Sequence, residues 1–152
     1  MKAIQTLDKK NGQHHFQVEY REANLTPMEG RGENKILVVN DHPDQLVLMS
    51  TLLRHAGYSV LTALDGLEGF EIAKREQPDL VISDVLMPRA DGIELCRLLR
   101  TDSELSATPI LLASALRKDT QSVVEGLQAG ADDYLEAPYD AMRLIAQVAR
   151  HL

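Results

Sequence analysis

Asp79-Leu80-Val81-Ile82-Ser83-Asp84-Val85-Leu86-Met87-Pro88-Arg89-Ala90-Asp91-Gly92 is the stretch whose reading decides the fold. Leu80 to Ser83 is a nearly all-apolar run of strand length. Such runs mark strands buried on both faces, which belong to parallel sheets covered by helices. The run ends in a carboxylate, crosses a loop with Pro88, and reaches Asp91-Gly92, which opens a helix with Ile93, Cys96 and Leu99 on its inner face.

The same alternation extends in both directions. Upstream, Ile36-Leu37-Val38-Val39 is an apolar strand, and Pro43 starts a helix with Leu46, Met49 and Leu53 on one stripe that stops at Gly57. Tyr58 to Ala63 reads as a second strand, and Asp65-Gly66 turns into a helix from about Leu67 to Glu76, ended by Pro78. Downstream, Pro109-Ile110-Leu111-Leu112-Ala113 is the fourth strand. Asp119 opens a helix expected to face Val123, Val124 and Leu127 inward and to close at Gly130. Asp133 to Glu136 is a short fifth strand, and Pro138 introduces a last helix carrying Leu144, Ile145, Val148 and Leu152. Five strands alternating with five helices imply right-handed βαβ crossovers, hence an α/β, doubly wound parallel sheet.

The composition changes near Lys35, which divides the chain into an extension, 1–34, and a domain, 35–152. The extension is polar. Phe16, Val18 and Tyr20 alternate with Gln17 and Glu19, the pattern of a short half-buried strand that must pair in trans or with an exposed edge. The extension is expected to be an appendage that the domain does not need for folding. His14-His15 lacks the further ligands of a metal site and reads as exposed polar filler. Asn24-Leu25-Thr26 fits a glycosylation acceptor, but no secretory signal accompanies it. Gly30-Arg31-Gly32 precedes a strand instead of following one, so it reads as linker and not as a phosphate loop.

With 152 residues, 44% of them hydrophobic, the chain buries a core without staples. A net charge of −7 argues against a generally basic nucleic-acid binder and against a polybasic membrane anchor. The single cysteine, Cys96, excludes an internal disulfide and reads as a small buried apolar group. No stretch approaches the ~20 apolar residues that span a bilayer, so the expected location is the reducing cytoplasm.

Open parallel sheets bind ligands beyond the carboxyl ends of their strands. There the first strand delivers Asn40-Asp41, the third Asp84, the fourth Ser114 and the fifth Glu136-Ala137-Pro138. Two carboxylates meeting at one rim suit Mg²⁺, a hard cation held by one or two carboxylates plus phosphate. An exposed Asp beside such a metal is also a nucleophile toward a phosphoryl group. The alternative for Asp41 is a helix cap before Pro43. A phosphatase or dehalogenase would need a carboxylate two residues after its nucleophile, where Leu86 stands. A flavin domain would want a phosphate-cradling loop where Asn40-Asp41-His42-Pro43-Asp44 is acidic.

Residues 35–152 resemble the receiver domain of two-component response regulators. The motifs are Ile36-Leu37-Val38-Val39-Asn40-Asp41-His42-Pro43, the Asp79–Gly92 stretch, Pro109-Ile110-Leu111-Leu112-Ala113-Ser114-Ala115, and Gly130-Ala131-Asp132-Asp133-Tyr134-Leu135-Glu136-Ala137-Pro138. The resemblance implies a flavodoxin-like topology with strand order 2-1-3-4-5. It implies a signalling domain, not an enzyme: Asp84 accepts phosphate from a histidine kinase or phosphotransfer protein, with Mg²⁺ on Asp41, Asp84 and the main-chain carbonyl of Leu86. Ser114 and Tyr134 become the switch pair, and the last two helices with the fifth strand the usual output and dimer surface.

Two positions depart from the family. Asn40 stands for the first member of the acidic pair and would hold the metal only through water, and Ala137 stands for the lysine. Losing one carboxylate and one ammonium leaves the net site charge as it was, but Ala137 cannot donate to a phosphoryl oxygen. A charge-assisted bond of that kind is worth roughly 1.5–3 kcal/mol. Weak coupling of phosphorylation to output is therefore expected, unless a cation such as Arg89 substitutes. The alternatives are a phosphorylation-impaired pseudo-receiver acting as a scaffold, or the receiver part of a hybrid histidine kinase. No effector pattern follows the last helix, so the chain is expected to be a stand-alone receiver or part of a longer regulator.

Overall fold

The computed structural model describes residues 4–7, 14–17, 34–87, 89–114, 120–136 and 139–152. The chain divides into two compact units, Met1–Arg31 and Gly32–Leu152. In the first, β1 (Ile4–Leu7) and β2 (His14–Gln17) pair antiparallel, with Gln5 opposite Phe16. Phe16 of the expected strand lies in β2, and its expected partner is corrected: β2 pairs with β1 of the same unit, because antiparallel neighbours need only a short connection. Val18 and Tyr20, like Asn24-Leu25-Thr26 and Gly30-Arg31-Gly32, lie outside the described residues.

The second unit runs β3 (Lys35–Val39), α1 (Pro43–His55), β4 (Ser59–Ala63), α2 (Gly66–Glu76), β5 (Leu80–Asp84), α3 (Gly92–Thr101), β6 (Ile110–Ser114), α4 (Thr120–Gln128), β7 (Asp133–Glu136) and α5 (Ala141–His151). Its sheet is all parallel with order β4-β3-β5-β6-β7, which is 2-1-3-4-5 counted within the unit. The strand period of two splits the core in half. Leu37, Val39, Val81 and Leu112 face Ala73 of α2 and Leu95, Cys96 and Leu99 of α3. Ile36, Val38, Ile82 and Leu111 face Met49 and Leu53 of α1 and Leu144 and Val148 of α5. Each fully buried Leu or Ile contributes about 1.5–3 kcal/mol.

Helix starts follow from side-chain caps. Asp65, Asp91 and Asp140 accept from the backbone N–H groups of Glu68, Glu94 and Arg143 at 2.9, 2.9 and 2.8 Å. The last helix therefore begins after Asp140 and not at Pro138. One face differs from expectation: Val124 and Leu127 of α4 are exposed, at 43% and 48%. The inward line of α4 passes through Gly126, which lies so close to the sheet that an added Cβ would sit 2.6 Å from Leu112 Cδ1. That approach turns Val124 and Leu127 outward.

At the amino-terminal rim of the sheet, Arg100 of α3 joins three segments. Its guanidinium donates to the carbonyls of Gly130, Thr108 and Ser106 at 2.9, 2.6 and 3.2 Å and to Asp132 Oδ2 at 2.7 Å. The same carboxylate oxygen accepts from Ile110 N at 2.8 Å, so one network at the edge of the sheet fixes where β6 begins.

Candidate functional site

Because every strand of the sheet is parallel, the carboxyl ends of β3, β5, β6 and β7 share one rim. Asn40, Asp84, Ser114 and Glu136 therefore stand at neighbouring strand ends, with Asp41 one residue beyond Asn40. Asp84 is the hinge of the site. Its Oδ1 accepts from Val85 N at 2.8 Å, and the turn behind it is closed by Gly92 N donating to Val85 O at 2.9 Å. Gly92 is required there by close approach, since a Cβ would meet the Asp84 carbonyl oxygen at 2.2 Å. Burial pushes the Asp84 carboxyl above its usual range and the Asp41 charge adds to this, while the N–H groups of Val85 and Leu86 and the ring of His42 pull it back.

The loop after β3 is organised by Asn40, which is buried at 5% exposure. Its Oδ1 accepts from His42 N at 2.9 Å and its Nδ2 donates to Gln45 Oε1 at 3.2 Å. The N-cap of α1 is His42, whose side chain makes no cap bond, so the cap reading of Asp41 does not hold. Asp41 Oδ1 is instead buried and, among the described residues, accepts no hydrogen bond. His42 Nδ1 lies 3.0 Å from that oxygen, at ion-pair distance but outside hydrogen-bond geometry. Among the described residues, Asp41, His42 and Asp84 form a group whose ligand atoms all lie within 4.8 Å of one another. A buried carboxylate oxygen without a donor, facing a second carboxylate, is a donor set that fits a divalent cation. Asp41 and Asp84 would hold it.

Ser114 is buried at the end of β6 opposite Glu136, and Tyr134 is half-buried beside Leu112 on the α2–α3 side of the sheet. Leu86 is exposed just past Asp84. Ala137 and Pro138 lie outside the described residues. Arg89 does not reach across the rim; its guanidinium pairs with Asp65 Oδ2 at 3.5 Å at the start of α2. Arg89 and Ala90 both have positive φ, 52° and 73°, a strained pair in the loop that follows Asp84. Two residues beside the rim went unremarked as site groups in the sequence, His42 and Tyr139. The Tyr139 phenol is pushed up by burial first and by the Asp84 charge second. The signal for His42 was its place immediately after Asp41.

Comparison with known proteins agrees with this arrangement. The chain is 39% identical over 114 residues to the DNA-binding dual master transcriptional regulator RpaA of Synechocystis sp., a match spanning 75% of this chain and 47% of the relative. It is 40% identical over 114 residues to the alkaline phosphatase synthesis transcriptional regulatory protein PhoP of Bacillus subtilis, spanning 75% and 46%. The chain thus spans about half the length of these curated relatives. Among solved structures, the chemotaxis response regulator CheY4 of Vibrio cholerae superposes with a TM-score of 0.75 at 33% identity, covering 80% of this chain and 100% of that one. A signal receiver domain of a signal transduction histidine kinase from Syntrophus aciditrophicus gives 0.73 at 37% identity, covering 78% and 89%. Residues 36–149 match the response regulator receiver domain model, and the chain belongs to that family.

Proposed function

We propose that this domain is a phosphoacceptor of a two-component phosphorelay, with Asp84 as the accepting residue and protein contacts as the output. The observation that carries it is the Asp84 carboxylate at the end of a buried central strand, facing an Asp41 oxygen that accepts no hydrogen bond among the described residues. One oxygen of Asp84 attacks the phosphorus of a phosphohistidine on a histidine kinase or phosphotransfer protein. A P–O bond forms as the P–N bond breaks, and the electron pair leaves with the imidazole. Mg²⁺, when bound, would neutralise the oxygen charges that crowd the rim. The Val85 N–H keeps the second role of holding the carboxylate in place.

In this reading Ser114 hydrogen-bonds the phosphoryl group and Tyr134 changes rotamer with it. The surface of α4, β7 and α5 then carries the output or a second copy of the chain, which the exposed Val124, Leu127 and Met142 support. The domain binds and switches in the cytoplasm without turning over a metabolite. Among the described residues no helix is long and apolar enough to cross a membrane. The Asn40 side chain, engaged on both its atoms, favours a second reading in which the domain is a pseudo-receiver scaffold.

Intact-protein mass spectrometry after incubation with acetyl phosphate and Mg²⁺ decides between them. The phosphoacceptor reading expects a gain of one phosphate in the natural chain and none in Asp84→Asn. A gain that persists in Asp84→Asn, or no gain in either, overturns it.

A further inference from the structure

In the loop after β3, Asn40 holds the His42 backbone through Oδ1 and Gln45 through Nδ2, so neither of its polar atoms points to a ligand role. That same Asn40–His42 bond, 2.9 Å long, fixes the start of the His42 residue beside Asp41. The ring nitrogen Nδ1 then lies 3.0 Å from Asp41 Oδ1, an oxygen that is buried and accepts no hydrogen bond among the described residues. Two ligands at right angles on one metal, each about 2.1 Å away, sit about 3.0 Å apart. The His42–Asp41 spacing is that of a ligand edge. Ligand atoms of Asp41, His42 and Asp84 all lie within 4.8 Å of one another, against about 4.2 Å for ligands opposed across an octahedron. The His42 side chain is 56% exposed, so its ring can adjust without disturbing the core.

We propose that His42 supplies a nitrogen ligand to the Asp41–Asp84 rim, making it a mixed nitrogen and oxygen site that selects a borderline first-row metal over Mg²⁺. The inference rests on reading this rim as a cation site, and not on phosphate transfer to Asp84. The chemistry follows from the donor set. Two carboxylates alone suit a hard cation, whereas an imidazole favours metals later in the series from Mn²⁺ to Cu²⁺ and Zn²⁺. His42 takes up in a different element the donor that Asn40 no longer provides.

The test uses Co²⁺, whose spectrum reports its ligands, on the full chain. Calorimetric titrations with Co²⁺ and with Mg²⁺ are run on the natural protein, His42→Phe and Asp84→Asn. Proton NMR of the Co²⁺ forms looks for a hyperfine-shifted imidazole N–H. The natural chain is expected to bind Co²⁺ in preference to Mg²⁺, and His42→Phe to lower that preference by roughly tenfold or more. The shifted N–H should be present in the natural chain and absent in both variants. Because the His42 side chain makes no cap bond, His42→Phe is expected to melt with the natural chain. An unchanged Co²⁺-to-Mg²⁺ preference in His42→Phe overturns the proposal. So does a shifted N–H that survives His42→Phe, which would put the metal on another histidine. Acetyl phosphate labelling of the same samples separates the two readings. Histidine-dependent Co²⁺ binding without labelling overturns the phosphoacceptor reading alone, and labelling with no His42 effect overturns this one alone.

Discussion

Gly92→Ala adds one methyl group at the most crowded backbone crossing near the site. Its Cβ would lie 2.2 Å from the Asp84 carbonyl oxygen and 3.1 Å from both the Asp84 carbonyl carbon and Val85 Cα. An unstrained carbon–oxygen approach is about 3.3–3.6 Å, so the backbone must separate by roughly 1 Å. The obstacle is main chain on both sides, which cannot rotate away as a side-chain end can. Overpacking of this kind costs about 1–3 kcal/mol. Against it stands the gain of Ala over Gly at the first residue of α3, at most about 1 kcal/mol. The clash wins, and the net loss is about 1–2 kcal/mol, or roughly 3–8 °C in Tm for a domain of this size. The displaced group is the carbonyl of Asp84, the proposed phosphoacceptor. A shift near 1 Å costs on the order of a hundredfold in a positioned reaction, so labelling by acetyl phosphate should slow by about that factor. Urea unfolding followed by circular dichroism reads the first effect and timed mass spectrometry the second. Gly126→Ala is the contrast, because there the new methyl meets only the end of the Leu112 side chain. A Gly92→Ala protein as stable as the natural chain and labelled at the same rate would refute the reasoning.

The Cys96 thiol, pushed up to about 12 by burial, should resist a thiol reagent at pH 8 in the folded protein and react at once in denaturant. Burial raises the metal-free Asp84 carboxyl, so its ionised form opposes folding; in EDTA at neutral pH, Asp84→Asn should have the higher Tm, and the difference should vanish below pH 3.8. Burial alone would raise Asp133, but His151, the Tyr134 N–H and Arg150 outweigh it and hold the carboxyl below its usual 3.8. Its contribution is therefore fully present above pH 3.8 and lost as pH falls through the lower folded value, so Asp133→Asn should lose stability at pH 7 and converge on the natural chain in acid melts. Restoring the ammonium with Ala137→Lys should strengthen beryllofluoride-induced shifts around Tyr134; equal shifts in both proteins at the same concentration would show that coupling does not need it.

The parallel, doubly covered sheet was legible because buried parallel strands write themselves as apolar runs, Ile36 to Val39 and Leu80 to Ser83 having no other place to go, whereas the strand order came only with the family resemblance. Asp84 was legible for the same reason, as the first charge after such a run. What could not be read is whatever depends on how finished elements meet. The face of α4 was misjudged because three apolar residues at helical spacing outvoted Gly126, whose missing side chain sets the packing distance. Asn40 read as a weakened ligand, yet its amide organises the loop through contacts with His42 and Gln45 that no spacing rule foretells. Arg89 read as a spare cation until its strained backbone turned it toward Asp65. Asp140 was passed over as a helix start because Pro138 gives the louder signal.

Arg100 gives the sheet a fixed end. The four bonds of its guanidinium reach the segments that lead into β6 and β7. Strands held at one end respond to a force at the other as reeds clamped in a block do, by displacement at the tip and not by sliding as a whole. Ser114 and Glu136 occupy those tips. If the rim switches as proposed, a change there would move the last residue or two of β6 and β7 and the surfaces that follow them, while the register of the sheet stays put. Loosening the clamp with Arg100→Ala would then let the same push dissipate as a shift of whole strands.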